Sequence, residues 1–432
     1  MNRKIFFILC LLAAFQLSAQ TLTIEQCREM ALQHNEDLRK AGISLERANL
    51  DKEVAFSAYL PTIDASGSVV AMNSIDVAGM GMSLVMQGTY MAGIMVTQPI
   101  YAGGKISTAN NLAKVGQKVA EEQLRLQRQQ TLANVDKAYY SLVSVRSKVR
   151  MLEAVQAQLD TLMGQVSTSV RADMATNADA LRVQTKQSEI AYNLEKARNG
   201  ESLCRMVLCS EIGLDLNSPV EVIDPEAEGA TVPYPLAPNI SERPELAMLN
   251  SAIDAKQLQV RMAKADYLPT VALVGGYNYF GNVRMRGMAQ GPDGQYYPFE
   301  QKMAGHLPMA MLSVQIPILH WATYRKVKQA KLDVQSAQLD LEKNERLMTI
   351  EAEQAVRNVE DARRMIDTAT LGQKQADENL RIMRLRYKAS LSTLTDLLDA
   401  QTQWQQAHSN LIEANAQYRL SLTEYLRVTG AL

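Results

Sequence analysis

Apolar and polar positions along this chain change period in the same order in each of two halves. Across residues 21–58 the apolar residues recur at threes, fours and their sums (Ile24, Cys27, Ala31 and Leu32, then Leu38, Leu45 and Leu50), a helical spacing that residues 239–265 share. At Pro61 and again at Pro269 the period drops to two. Thr62, Asp64, Ser66 and Ser68 alternate with Ile63, Ala65, Gly67 and Val69, and Val271, Leu273, Gly275, Tyr277 and Tyr279 hold the matching phase in the second half. These patterns predict strands with unlike faces, with return strands at 90–98 and 308–316. After Pro99 and Pro317 the helical period returns. Residues 105–163 contain no proline and as one helix would reach roughly 90 Å. Leu132, Val135, Tyr139, Leu142, Val149, Leu152, Leu159 and Leu162 form a seam of coiled-coil spacing along it. Helices at 174–214, 324–385 and 391–428 complete two antiparallel helical hairpins. Their seams are rich in small and polar residues (Ala400, Gln401, Ala407, Ser409), which leaves no thick dry core.

The two halves are copies. The stretch M-A-T-N-A-D-A-L-R-V-Q-T at 174–185 returns as L-S-T-L-T-D-L-L-D-A-Q-T at 391–402. Thr176, Asp179, Leu181, Gln184 and Thr185 fall on Thr393, Asp396, Leu398, Gln401 and Thr402 at one offset, which also carries Gly213 onto Gly430. Ala58-Tyr-Leu-Pro-Thr62 returns as Asp266-Tyr-Leu-Pro-Thr270 at a shorter offset, so the second half holds an insertion between the anchors. The expected division is a signal peptide at 1–19, a first repeat at 20–216, a proline-rich connector at 217–238 and a second repeat at 239–432. Strands are expected at about 62–98 and 270–316, and helical hairpins at about 105–214 and 324–428. The connector carries Pro219, Pro225, Pro233, Pro235 and Pro238 and reads as irregular.

Charge and composition place these elements. Between Ala65 and Gly104 the one charged residue is Asp76, and from Leu307 to Tyr324 there is none, while Thr, Ser, Gln and Gly keep both stretches far from helix-spanning hydrophobicity. Such strands suit a membrane β-barrel, with Tyr277, Tyr279 and Phe280, and Tyr296, Tyr297 and Phe299 across an intervening loop, as an interfacial aromatic girdle. Soluble hairpins packed on helices are the alternative. Arg3 and Lys4, an apolar run at 5–15 and the small Ser18 and Ala19 form an export signal cleaved after Ala19, and Cys10 lacks the context of a lipid-anchoring site. A balance of 45 basic against 46 acidic residues gives no compositional case for nucleic acid.

Catalytic chemistry is not legible. His34, His306, His320 and His408 lie in unrelated contexts without metal spacing, and Gly103-Gly104-Lys105 lacks the earlier glycine of a phosphate loop. Cys27, Cys204 and Cys209 would remain after export, an odd count that reads as buried thiols and not a disulfide framework. Neither an enzyme, a cofactor nor a metal is expected.

The duplication, the Ala31-Leu-Gln-His-Asn35 opening, the Leu-Pro turns at Pro61 and Pro269, the returns at Pro99 and Pro317 and the Thr-x-x-Asp-x-Leu repeat resemble the TolC-type outer membrane efflux channels. The resemblance covers essentially the whole mature chain. It implies a mainly α fold with a membrane β-barrel portion. Each chain of a homotrimer would give four strands to a shared twelve-stranded barrel and its long helices to a periplasmic tunnel. It further implies docking through a periplasmic adaptor onto an inner membrane pump of the RND or ABC type, with the barrel in outer membrane lipid. The helical-hairpin turns would be the docking tips (Ala172, Asp173 and Met174; Ala389, Ser390 and Leu391), and Asp396 with Asp399 the gate carboxylates. Pro61, Pro99, Pro269 and Pro317 would mark the passages between barrel and helix. Two departures stand out: Asp173 and Ser390 occupy places where relatives often carry glycine, and Ser392 replaces an arginine that braces the closed entrance in the family's best-known member. Small-molecule efflux and ABC-driven protein secretion share this fold. A periplasmic coiled-coil scaffold would account for the helices but not for two charge-poor alternating hairpins.

Overall fold

The computed structural model describes residues 20–77, 82–223, 236–319 and 321–432. The expected signal at 1–19, three connector prolines (Pro225, Pro233, Pro235) and His320 lie outside the described residues. The elements run β1 (Gln20–Leu22), α1 (Ile24–His34), α2 (Glu36–Ser57), β2 (Thr62–Val70), β3 (Ile75–Val77), β4 (Met82–Val85), β5 (Thr89–Ala102), α3 (Lys105–Arg171), α4 (Asn177–Glu211), β6 (Val220–Val222), α5 (Pro244–Ala265), β7 (Thr270–Gln290), β8 (Tyr296–Gln315), α6 (Trp321–Lys388) and α7 (Leu394–Val428). This is the mainly α fold with β-hairpins that the periodicity predicts. No described helix is long and apolar enough to cross a membrane. Two compact units form, one from residues up to 44, 121–248 and 341–432, the other from 45–120 and 249–340. Each therefore draws on both sequence repeats.

The first unit is helical. The predicted seam is its core: Val135, Tyr139, Leu142, Val149, Leu152 and Leu159 are all buried. Val135, Ala138 and Leu142 pack with Leu208 in one cluster, and their repeat counterparts Ala352, Ala355 and Val359 pack with Tyr425 in another, so the duplication is visible in the packing. Two expectations need correction here. The helix expected across 21–58 breaks at Asn35, whose side chain accepts from the backbone N–H groups of Asp37 and Leu38 at 3.1 Å each and so opens α2. The connector is not wholly irregular, because β6 pairs in parallel with β1 in register Gln20↔Val220 to Leu22↔Val222. Tyr139 ties that pair to α3 by donating to the carbonyls of Leu22 and Ile223.

The second unit is built on an antiparallel sheet whose long strands run β2-β5-β7-β8. Register puts Ile63, Val69, Ile94, Tyr277, Leu312 and Val314 on one face, all exposed. The other face carries Asp64, Ser66, Ser68, Thr97, Asn278 and Ser313, interspersed with Met95 and Met309. Three expectations shift. The return strand expected at 308–316 begins at Tyr296, so Tyr296, Tyr297 and Phe299 sit in β8 and not across a loop. The charge-free criterion missed this extension because cross-strand ion pairs carry it, Arg286 to Glu300 at 2.8 Å and Arg284 to Glu300 at 3.7 Å. Phe280 follows Tyr279 and so faces away from Tyr277 and Tyr279, which share their face with Tyr90 and His306. Finally, β5 continues through Pro99, at a bulge, to Ala102. The turn into α3 is made instead by Gly103 and Gly104, at φ of 61° and 79°. A Cβ on Gly103 would lie 2.7 Å from the Ala265 carbonyl oxygen. By contrast Pro61 stands between α2 and β2, Pro269 directly before β7, and Pro317 between β8 and α6. The small β3-β4 ladder, unforeseen in the sequence, extends the sheet by pairing β4 with β7 beyond the end of β5.

Candidate functional site

The two helical-hairpin turns lie in the helical unit and are built alike. At the end of α3 the Met174 N–H donates to the Ser169 carbonyl at 2.8 Å, and at the end of α6 the Leu391 N–H donates to the Arg386 carbonyl at 2.8 Å. Both close the six-to-one ring of a Schellman stop, which needs a left-handed residue just before it. Those residues are Asp173 at φ 54° and Ser390 at φ 57°, the positions where glycine was missing from the sequence pattern. The six tip residues Ala172, Asp173, Met174, Ala389, Ser390 and Leu391 are all exposed. Met174 is 85% and Leu391 68% exposed, so the apolar side chain that usually packs back on such a stop stands in solvent instead.

Each turn then enters a capping box. Thr393 N–H and its hydroxyl both donate to Asp396 Oδ2, at 2.9 and 2.8 Å, while Asp396 N–H donates to Thr393 Oγ1 at 3.2 Å. Thr176 and Asp179 repeat this arrangement at 3.1, 2.7 and 3.2 Å. Hydrogen bonds from the backbone and hydroxyl of Thr393 hold the Asp396 carboxyl below its ordinary range, and those from Thr176 do the same for Asp179. Asp396 therefore stays ionised but is committed to its cap. Asp399, one turn further on, is exposed, and its repeat counterpart is Arg182. Across the hairpins Arg182 Nη1 donates to Thr395 Oγ1 at 3.1 Å, a contact that links the two hairpins three residues beyond Ser392. Ser392 Oγ itself is buried without a partner. Val166, Val183 and Leu394 pack between the hairpins just behind the tips, with Tyr387 and Leu398 against them.

The remaining candidates are structural. His408 stacks on Trp404 at 3.9 Å between ring centres and meets Asp377 at 3.0 Å; His306 contacts the Tyr277 hydroxyl at 2.6 Å. Cys27 and Cys209 are buried in the core, and burial pushes the Cys27 thiol up to about 12. Among the described residues no group of His, Cys, Asp and Glu could hold a metal ion. Sequence reasoning missed Arg182 and also Arg384; Arg182 lies within the repeated stretch at 174–185 but at a position the two copies do not share, Arg384 lies outside it, and only the fold shows what they face.

The sequence profile described as outer membrane efflux protein matches residues 27–200 and 239–431, the two repeats on either side of the connector. The chain belongs to that family, which makes it an outer membrane protein of a channel class and not an enzyme class. It is similar to the outer membrane protein TolC of Vibrio cholerae serotype O1, 22% identical over 350 residues that cover 79% of this chain and 76% of that protein. Its fold is that of the outer membrane protein VceC from Vibrio cholerae (TM-score 0.78, 16% identity, 94% and 96% of the two chains). The Campylobacter jejuni CmeC outer membrane channel gives a TM-score of 0.75 at 19% identity, over 94% and 85% of the two chains.

Proposed function

We propose that the protein is the exit duct of a tripartite efflux system, a homotrimer that passes small molecules from an inner membrane pump and a periplasmic adaptor to the outside. The observation that carries this reading is the sheet. Among the described residues β2 pairs with β5 alone and β8 with β7 alone, so both outer edges of the four long strands are bare. Bare strand edges are not tolerated in hydrocarbon, whereas an apolar face of exposed Ile63, Val69, Ile94 and Leu312 asks for it. Copies of the same chain resolve the conflict by pairing the β2 edge of one with the β8 edge of the next. Two copies would close an eight-stranded barrel filled by side chains; three leave a lumen.

In this reading the helical tips form the periplasmic entrance. Met174 and Leu391, with Ala172, Asp173, Ala389 and Ser390, are the adaptor-docking surface, Asp396 and Asp399 line the gate, and Arg182 with Thr395 supplies the brace. Fractionation tests the proposal. A heat-modifiable trimer that needs detergent for release from the outer membrane is expected; a soluble periplasmic monomer would exclude it.

A further inference from the structure

Behind the tips the two helical hairpins leave a cavity of about 400 Å³. We propose that this cavity is a binding site for a small organic anion, a carboxylate on an apolar body. Its wall holds two cations, Arg384 and Lys388, and not one acidic residue. Arg384 Nη2 donates to the Gln158 Oε1 of the facing hairpin and, at 3.4 Å, to Gln401 Oε1. Gln401 is 5% exposed and in turn donates to the same Gln158 Oε1 at 2.9 Å. The guanidinium thus meets only neutral amides, and no carboxylate among the described residues lies within ion-pairing distance of it or of Lys388.

The rest of the unit shows how unusual that is. Arg28 pairs with Asp136 at 2.6 Å, Arg243 with Glu351 at 2.7 Å and Arg427 with Glu351 at 3.0 Å, each partly or fully withdrawn from water. Carboxylates raise the pKa of all three, Asp136 for Arg28, Glu245 and then Glu351 for Arg243, and Glu424 and then Glu351 for Arg427, while burial alone pulls Arg384 down. A half-buried charge without a counter-ion is a standing cost, and an anion that arrives from outside removes it. Guanidinium presents a planar fork of donors that a carboxylate accepts in bidentate fashion. Leu162 and Leu397 line the same space, so the anion that fits is amphipathic, and a strongly hydrated inorganic oxyanion would leave the apolar wall unsatisfied. Because Gln158 and Arg384 stand on opposite hairpins, a bound carboxylate would replace a neutral link between them by a charged one.

The inference rests on the cavity of a single chain, and its test, ligand binding, is separate from the fractionation that tests trimer assembly. Titration calorimetry of the full-length protein in detergent would use 2-naphthoate, with the neutral 2-naphthamide as control and inorganic phosphate as competitor at fixed ionic strength. Expected are saturable binding of naphthoate, none of the amide and no competition by phosphate. Arg384→Gln should weaken naphthoate at least tenfold, and Lys388→Gln, an exposed change that cannot unfold the hairpin, about threefold. Naphthoate and naphthamide binding alike, phosphate displacing naphthoate, or unchanged affinity in both variants would overturn the proposal. So would absence of naphthoate binding to the wild type, the result expected if a carboxylate of a second copy already fills the site.

Discussion

At the scale of single residues, four left-handed positions show how sterics decide where glycine is kept. Gly213 and Gly430 close α4 and α7 at φ of 74° and 77°, and Asp173 and Ser390 close α3 and α6 at similar angles. A Cβ on Gly213 would come within 2.4 Å of the His34 Cβ, and one on Gly430 within 2.5 Å of the Glu242 carbonyl oxygen. The tips are open, so a side chain fits and only the backbone preference is lost. Ser390→Gly should therefore stabilise the second hairpin by on the order of 0.5–1 kcal/mol, and Gly430→Ser should cost about 2 kcal/mol or more, because it adds a clash to the same strain. Denaturant unfolding of the two variants compares them; equal and opposite effects would show that the Glu242 contact yields easily. The two carboxylates proposed for the gate, Asp396 and Asp399, separate by the same kind of reading. Asp399 carries no cap, so Asp399→Asn should lower cation preference and sensitivity to a trivalent cation in single-channel recordings and leave unfolding unchanged. Loss of selectivity only when Asp396→Asn is added would place the gate on Asp396.

At the scale of elements, the Thr-x-x-Asp repeat that first revealed the duplication turns out to be a helix-start signal in each half. Thr393→Ala should cost about 1 kcal/mol and fray the start of α7. Acid should act on both starts together. Asp179 and Asp396 have folded pKa values below the ordinary 3.8, so the unfolded chain binds protons more readily; the caps contribute above that value and are lost as pH falls through the lower folded ones. Hydrogen-exchange protection at the first turns of α4 and α7 should drop in parallel below pH 3.8, ahead of the core around Val135, and a drop in one helix alone would contradict the shared cause. Elements with a long period were legible in sequence: the seam from Leu132 to Leu159 and the alternation after Pro61 and Pro269 gave helices and strands their places. What was hidden depended on partners far along the chain. Three-residue β1 has no signal of its own until β6 lies beside it, and the far end of β7 looks like a charged loop until Glu300 is seen opposite Arg286. Likewise Ser392 announced a lost brace, but that Arg182 reaches Thr395 follows only from the packed hairpins.

At the scale of the whole molecule, the question is whether the sheet is a finished object or a piece of one. An antiparallel sheet of four long strands with an apolar face could in principle lie flat on helices, its edges blunted by short strands or charges. Here the strand lengths argue otherwise. The edge strand β8 has 20 residues and β7 beside it 21, far more than a blunted edge needs, and Thr270 to Phe280 pairs on both sides. The small β3-β4 ladder is attached at one end of β7 and leaves the order β2-β5-β7-β8 untouched. The two features therefore predict opposite results on deletion. Removing residues 90–98 takes out the strand between β2 and β7, which orphans β2 and bares a second stretch of β7, so no heat-modifiable trimer should reach the outer membrane. Removing β3 and β4 leaves every long-strand pairing in place, and trimers should form at the wild-type yield. The yields are read on unheated gels of outer membrane fractions. Normal trimers from the first deletion would mean that the sheet is not the wall of a barrel, and failure of both would mean that assembly depends on the β3-β4 ladder as much as on the long strands.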